Sequence, residues 1–121
     1  MIKGIKFVSV PVSDQERALT FYTEKLGFRI LTDQPFNEKQ RWIELSIPGA
    51  ETGLVLFTPD GHEDRIGSFT SISFKTDDVF ATYEQLVAKG VEFKGPPAKQ
   101  EWGTFVILKD PDGNQFVLSG R

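Results

Sequence analysis

Glu44 is the side chain of this sequence that is best suited to acid–base chemistry or to binding a ligand. Polar and apolar residues alternate over positions 41–47, so Glu44 shares a strand face with Trp42, whereas Ile43 and Leu45 point the other way. A carboxylate that faces apolar surroundings is costly unless it is paired or protonated. Glu44 is therefore either a general base or ligand anchor, or a rim residue held in a salt bridge.

Other reactive side chains are few. Cysteine is absent, which excludes disulfides, thiolate metal sites and a cysteine nucleophile. The one histidine, His62, lies beside Asp60, Glu63 and Asp64 in a polar segment, and we expect it to be a solvated loop residue. Eleven phenylalanines favour an aromatic interior, as core or as pocket.

Charge and hydropathy limit which binding partners and which cellular compartment are expected. The formal net charge is −3 and the basic residues are scattered, so the pattern of a nucleic-acid-binding surface is missing. No apolar run is long enough to span a bilayer, and the first residues do not resemble a signal peptide. We expect a cytoplasmic protein with no nucleic-acid partner and no membrane partner.

An internal repeat predicts the elements that position these side chains. Asp14 and Asp78 lie 64 positions apart, as do Phe7 and Ser71, and each pair marks the passage from a strand into a helix. In each half the sequence pattern predicts three further strands after the helix. The result is an α+β fold with antiparallel hairpins.

The predicted boundaries place one domain over residues 1–121. Module one covers about residues 1–58, a linker covers 59–67, and module two covers about 68–121. A capping box of Ser13 and Glu16 is expected to start the first helix, with Gly27 ending it, and a second helix is expected over 77–89. Residues 33–39 are expected to form a loop, and residues 110–114 a tight turn. Strands are expected over 5–12, 28–32, 41–47, 53–57, 69–74, 91–94, 104–108 and 115–118.

Several motifs give the whole chain a family resemblance. They are Val12-Ser13-Asp14, Ala18-Leu19-Thr20-Phe21-Tyr22, Lys25-Leu26-Gly27-Phe28 and Asp110-Pro111-Asp112-Gly113-Asn114. In this order, and partly duplicated, they resemble the vicinal oxygen chelate superfamily of glyoxalase I, bleomycin resistance proteins, extradiol dioxygenases and fosfomycin resistance enzymes. The resemblance implies two tandem βαβββ modules that form a U-shaped mixed sheet around a cavity, with helices on the convex face. It also implies a homodimer.

The same resemblance marks four positions at which the family's enzymes hold a divalent metal through His or Glu. These positions fall on Phe7, Val55, Ser71 and Val117. Phenylalanine and valine have no lone pair to donate, and a neutral hydroxyl is a poor ligand for such metals. The usual chelate is therefore not expected, and neither is any cofactor.

Strand alternation and the resemblance together predict the residues of the concave face. Their apolar and aromatic wall, with a few hydroxyls and one carboxylate, is typical of a small-molecule pocket, although the apolar members could instead fill a second core. Trp102 is expected near the cavity mouth, as a lid or as a turn-packing residue. The candidate ligand-binding residues are Phe7, Ser9, Trp42, Glu44, Val55, Phe57, Ser71, Ser73, Phe105, Ile107 and Val117.

Three function classes follow from this pattern. The first is a metal-independent protein that binds an apolar or aromatic small molecule, as the resemblance to bleomycin resistance proteins suggests. The second is a glyoxalase-like lyase or isomerase, or a dioxygenase-type enzyme, that uses Glu44 or relocated ligands such as Glu44 with Glu101. The third is a non-catalytic structural or regulatory dimer. The sequence leaves open whether any reaction is catalysed.

Overall fold

The computed structural model describes all residues from 1 to 121, and the chain divides into two compact units, Met1–Ile66 and Gly67–Arg121. The first unit contains four strands and one helix, which continues into a π-helical turn at Phe21–Lys25. A short 3₁₀ turn at Glu63–Arg65 follows the last strand. The elements are β1 (Phe7–Pro11), α1 (Gln15–Thr20), β2 (Arg29–Pro35), β3 (Arg41–Ser46) and β4 (Gly53–Phe57).

The second unit repeats this order with one additional strand. The added strand, β7, was not predicted, because it follows the Gly95-Pro96-Pro97 break and is only three residues long. The elements are β5 (Phe69–Thr76), α2 (Val79–Ala88), β6 (Glu92–Phe93), β7 (Ala98–Gln100), β8 (Gly103–Lys109) and β9 (Gln115–Gly120). The predicted α+β class with two βαβββ-like modules is confirmed.

Each unit has its own mixed sheet, and the two sheets have matching topologies. Sheet one has the order β1-β4-β3-β2, and sheet two has the order β5-β9-β8-β6, with β7 also paired to β8. In both sheets the first strand of the unit runs parallel to the last one, and the other pairings are antiparallel. The repeat seen in the sequence is therefore a repeat of strand pairing.

One face of sheet one packs against α1 and forms the core of that unit. Register places Val10, Leu56 and Ile43 side by side on this face, and all three are completely buried. Ala18 and Leu19 of the helix are buried as well. We call this the helix face of sheet one, and the opposite side its helix-free face.

Both helices begin at an aspartate. The Asp14 carboxylate accepts from the amide of Arg17 at 3.0 Å, and the Asp78 carboxylate accepts from the amide of Ala81 at 3.0 Å. The predicted capping box of Ser13 and Glu16 is wrong, since the N-cap lies one residue later. The charged carboxylate is a strong acceptor at the positive helix end, and the Ser13 hydroxyl accepts from the Arg17 guanidinium instead.

The strand β2 is longer than predicted, because Asp33 belongs to the ladder and not to the following loop. Asp33 pairs with Ile43, and its carboxylate accepts two hydrogen bonds from the Arg41 guanidinium, at 3.0 and 2.6 Å. The same guanidinium donates to Glu16 of α1 at 2.6 Å. The loop shrinks to a short connection that the amide of Phe36 closes by donating to the carbonyl of Gln40.

The turn at residues 110–114 forms as predicted and carries buried polar groups. The Asp110 carboxylate accepts from the amides of Asp112 and Asn114, both at 2.9 Å, and from the Asn114 side-chain amide at 2.8 Å. The Asn114 side-chain oxygen accepts from the amide of Gly67 at 2.8 Å, which fixes the start of the second unit. Asn114 is completely buried, so its amide group satisfies partners that water cannot reach.

Asn114→Asp is expected to destabilise the protein by about 3 kcal/mol at pH 7, because it replaces a donor to Asp110 with a second buried carboxylate. The like-charged pair raises the pKa of one carboxyl in the folded variant, so the stability lost relative to the parent protein is regained as the pH falls through that raised pKa. Urea unfolding at pH 7 and pH 5 measures both effects. Asn37→Asp is the matched control, since the Asn37 side-chain oxygen only accepts, from the amides of Lys39 and Gln40. Equal losses in the two variants would contradict the assigned hydrogen bonds.

Asp33→Asn is expected to lower the free energy of unfolding by up to about 1 kcal/mol at pH 7, because Arg41 binds the carboxylate with two hydrogen bonds. These hydrogen bonds from Arg41 hold the pKa of Asp33 below its usual range. The stability they contribute is present above the unfolded pKa and is lost as the pH falls through the folded one. The difference between the two proteins should therefore shrink below about pH 4. Asp60→Asn serves as the control at an exposed carboxylate, and a difference that does not change with pH would contradict the pairing.

Candidate functional site

The helix-free face of sheet one carries a row of four side chains, which ends at Thr32 of β2, the register partner of Glu44. Register pairs Ser9 of β1 with Val55 of β4, and Val55 with Glu44 of β3. Directly paired residues point to the same side of a sheet, so these four stand next to each other. Their strand neighbours Val10 and Ile43 are buried on the helix face, as the alternation predicted.

Two aromatic rings cover this row. Phe7 and Trp42 stand on opposite sides of it, each two residues along its own strand from Ser9 or Glu44. Their rings nevertheless meet edge to face, with centroids 5.6 Å apart and planes at 78°. This contact has to pass over the row, and Val55 is accordingly only 2% exposed.

A cavity of about 260 Å³ opens beside the Trp42 ring. Its walls are mostly apolar and aromatic, and Phe36, from the short β2–β3 connection, leans against Trp42 with ring centroids 6.3 Å apart. The lining residues are Ser9, Phe36, Gln40, Arg41, Trp42, Val55 and Phe57.

Four of the predicted ligand-binding residues therefore line one cavity, namely Ser9, Trp42, Val55 and Phe57. Phe36, Gln40 and Arg41 were missed: Phe36 lay in the loop predicted over 33–39, Gln40 in no predicted element, and Arg41 on the face of Ile43 by alternation. A usable signal was present: a short hairpin connection sets its two ends opposite each other, which brings Phe36 and Gln40 to the mouth of the cavity.

Glu44 does not line this cavity itself, but it is the register partner of Val55, which does, and it is buried without a partner. It is 8% exposed and takes part in no hydrogen bond or ion pair. No side-chain oxygen of the chain is both fully buried and unpartnered, so the Glu44 carboxylate keeps a path to solvent. A Cβ added to Gly53 would stand 3.6 Å from its Oε2 atom, which places the carboxylate over that glycine. The predicted alternative of a rim salt bridge is wrong.

The second unit carries an equivalent row of different composition. Ser73 pairs with Val117, and Val117 pairs with Ile107. The Ser73 hydroxyl hydrogen-bonds the Ser119 hydroxyl at 3.0 Å. Register thus matches Ser73 to Ser9, Val117 to Val55, and Ile107 to Glu44, so that only sheet one carries a carboxylate in this row.

Phe105 stands beside this second row and stacks on Trp102. Their ring centroids are 5.8 Å apart and their planes differ by 20°. Trp102 is 69% exposed, so most of its ring remains open to solvent despite this contact.

Ser71 does not occupy the ladder position that the repeat predicted for it. The register of β5 shifts between Phe69 and Ser73, and Ser71 has a φ of 64°, in the left-handed region. The Thr70 hydroxyl closes this bulge by donating to the carbonyl of Gln115 at 2.8 Å and accepting from the amide of Ile72 at 3.1 Å. Ser71 is therefore exposed and unpaired, whereas Phe7 pairs with Gly53.

The four positions that correspond to the family's metal ligands do not suit a metal ion. Phe7 contributes a ring to the Trp42 contact, Val55 and Val117 are aliphatic, and Ser71 offers one neutral hydroxyl on a bulge. No three His, Cys, Asp or Glu side chains of the chain come together. The donor set does not fit the usual chelate.

A wider groove of about 710 Å³ lies at the loops of the first unit, and its lining includes the apolar residues Val12, Pro59 and Ile66. Exposed charged residues such as Glu38, Lys39 and Glu63 line it. Hydrogen bonds from the amides of Glu63 and Gly61 hold the pKa of Glu63 below its usual range. His62 is exposed in the same loop, as predicted.

Comparison with known proteins places this architecture in a family. The sequence profile of the Glyoxalase/Bleomycin resistance protein/Dioxygenase superfamily matches residues 4–118. The uncharacterized protein YetH of Bacillus subtilis is 46% identical over 118 residues, which cover 98% of either chain.

None of the helices has the length and apolar character that crossing a bilayer requires.

Two solved structures show the same fold along nearly the whole chain. A superfamily member from Sphaerobacter thermophilus has a TM-score of 0.90 at 36% identity and covers 99% of this chain and 98% of its own. TnmS3, an antibiotic binding protein from Streptomyces sp. CB03234, has a TM-score of 0.84 at 38% identity, with coverage of 98% and 96%. The chain belongs to the Glyoxalase/Bleomycin resistance protein/Dioxygenase superfamily.

Proposed function

We propose that this protein binds an apolar or aromatic small molecule on the helix-free face of sheet one, without a metal ion. The observation that carries this proposal is the cavity of about 260 Å³ whose walls include Phe36, Trp42, Val55 and Phe57. Concave sites with apolar and aromatic walls and a few polar groups are the usual form of small-molecule sites. The similarity to TnmS3, named as an antibiotic binding protein, supports the same class of function.

The polar groups of the cavity are suited to orienting a ligand. The Gln40 side-chain oxygen accepts from the amide of Thr58 at 2.7 Å, which fixes the side chain while its NH₂ group stays available as a donor. Ser9 contributes an exposed hydroxyl. A planar ring can then stack on Trp42 or Phe57, and the small volume favours roughly two fused rings over a large ligand.

A second candidate function is an enzyme that uses Glu44 as an acid–base group. The observation that favours it is a buried carboxylate with a path to solvent and with no partner to occupy it. The two functions differ in the fate of the ligand. A binding protein returns it unchanged after prolonged incubation, whereas an enzyme converts it and loses that conversion in Glu44→Gln.

The first experiment combines elemental analysis of the purified protein with a thermal-shift screen of aromatic antibiotics and aromatic metabolites. A ligand present at 100 times its Kd should stabilise the folded protein by about 2.7 kcal/mol. Stoichiometric bound metal would contradict the metal-independent proposal. No shift across the whole panel would favour a structural or regulatory role with a filled cavity.

Trp42→Ala is expected to abolish ligand binding and to leave the fold intact, because Trp42 is half-buried on the helix-free face. Ile43→Ala, one residue away on the completely buried helix face, should instead cost about 2–5 kcal/mol of stability. Isothermal titration and urea unfolding of both variants measure the two effects. Phe80→Ala removes an exposed aromatic ring from α2 and should change neither. If Trp42→Ala unfolds the protein, Trp42 belongs to the core and this site is wrong.

A further inference from the structure

We propose that the Glu44 carboxylate binds a positively charged nitrogen of the ligand, so that the ligand is an aromatic or apolar amine. This inference rests on the proposed function and specifies its ligand class. It starts from the one acidic side chain of sheet one that is buried and lacks a partner.

The charge of Glu44 is uncompensated within its own unit. A buried carboxylate without an opposite charge or donors is held at a cost in free energy. Arg41, on the same strand, does not supply the charge, since its guanidinium binds Asp33 and Glu16. A bound cation would complete the site with a charge-assisted hydrogen bond, which is among the stronger polar contacts in proteins.

The surroundings of the carboxylate also favour an organic cation. The Phe7 and Trp42 rings meet over the row that contains Glu44, and ring faces attract ammonium groups. A neutral ligand would leave the carboxylate without a charged partner, and an anionic ligand would be repelled.

The second unit shows that the fold does not need a carboxylate at this position. Ile107 holds the place of Glu44 in the row formed with Ser73 and Val117, and the strands pair in the same way. The row is thus compatible with an aliphatic side chain, which avoids the cost of a buried charge. The carboxylate of sheet one therefore needs an explanation other than strand pairing, and ligand recognition supplies one.

Three naphthalene probes of matched size test this inference by isothermal titration: 2-naphthylmethylamine, 2-naphthylmethanol and 2-naphthoate. The Kd of the amine should be lower than that of the alcohol by about tenfold or more, and the Kd of the carboxylate should be the highest of the three. Glu44→Gln should weaken amine binding by about tenfold or more, while the Kd of the alcohol changes by less than about twofold. Trp42→Ala should weaken both.

The outcomes separate this inference from the proposed function. Equal binding of the amine and the alcohol, or a preference that survives in Glu44→Gln, would overturn the role of Glu44 and leave the aromatic site standing. Binding of neither probe would count against the site as well. A second measurement needs no ligand: the Tm of Glu44→Gln should equal or exceed that of the parent protein. A clear decrease in Tm would mean that Glu44 is paired in the folded protein, for example by a second copy of the chain, and would overturn the inference.

Discussion

The parallel pairing of β1 with β4 is the constraint on which the rest of the first unit depends. It joins the first strand to the last, and the ladder continues at both ends, where Gly53 donates to the carbonyl of Lys6 and Val12 to the carbonyl of Phe57. Only a glycine fits at position 53, because a Cβ there would stand 2.8 Å from the carbonyl oxygen of Leu45. The glycine therefore permits the strand pairing that brings Ser9, Val55 and Glu44 into one row.

A buried amide holds the helix against that sheet. The Gln15 side chain donates to the carbonyls of Arg41 and Leu56 at 2.8 and 3.0 Å and accepts from the amide of Arg41 at 3.0 Å. A fully satisfied buried group of this kind fixes orientation, because every displacement breaks a hydrogen bond that water cannot replace. Arg41 is thereby held with its side chain toward the helix, and alternation turns Trp42 to the other face.

The sequence predicted the features that depend on period and repetition, and it missed those that depend on distant partners. Strand alternation assigned Ile43 and Glu44 to opposite faces, because side chains of a strand alternate with a period of two. The bulge at Ser71 could not be predicted, since it rests on the Thr70 hydroxyl reaching Gln115, 45 positions away. The start of α1 was displaced by one residue, because Ser13 and Asp14 compete as caps and local sequence does not show which of them the chain will use.

In this fold the strand pairing does not determine the chemical character of the side chains, as a comparison of the two rows shows. Membership in the superfamily accounts for the strand pairing, which is the same in both units, yet the partner of Val55 is Glu44 in one unit and the partner of Val117 is Ile107 in the other. An aliphatic side chain satisfies the frame at lower cost than a buried charge does. Only sheet one has a carboxylate at this position in place of an aliphatic side chain, and aromatic rings and a cavity lie close to it. Function in this chain is therefore to be sought in what differs between the repeats, since what they share only builds the fold.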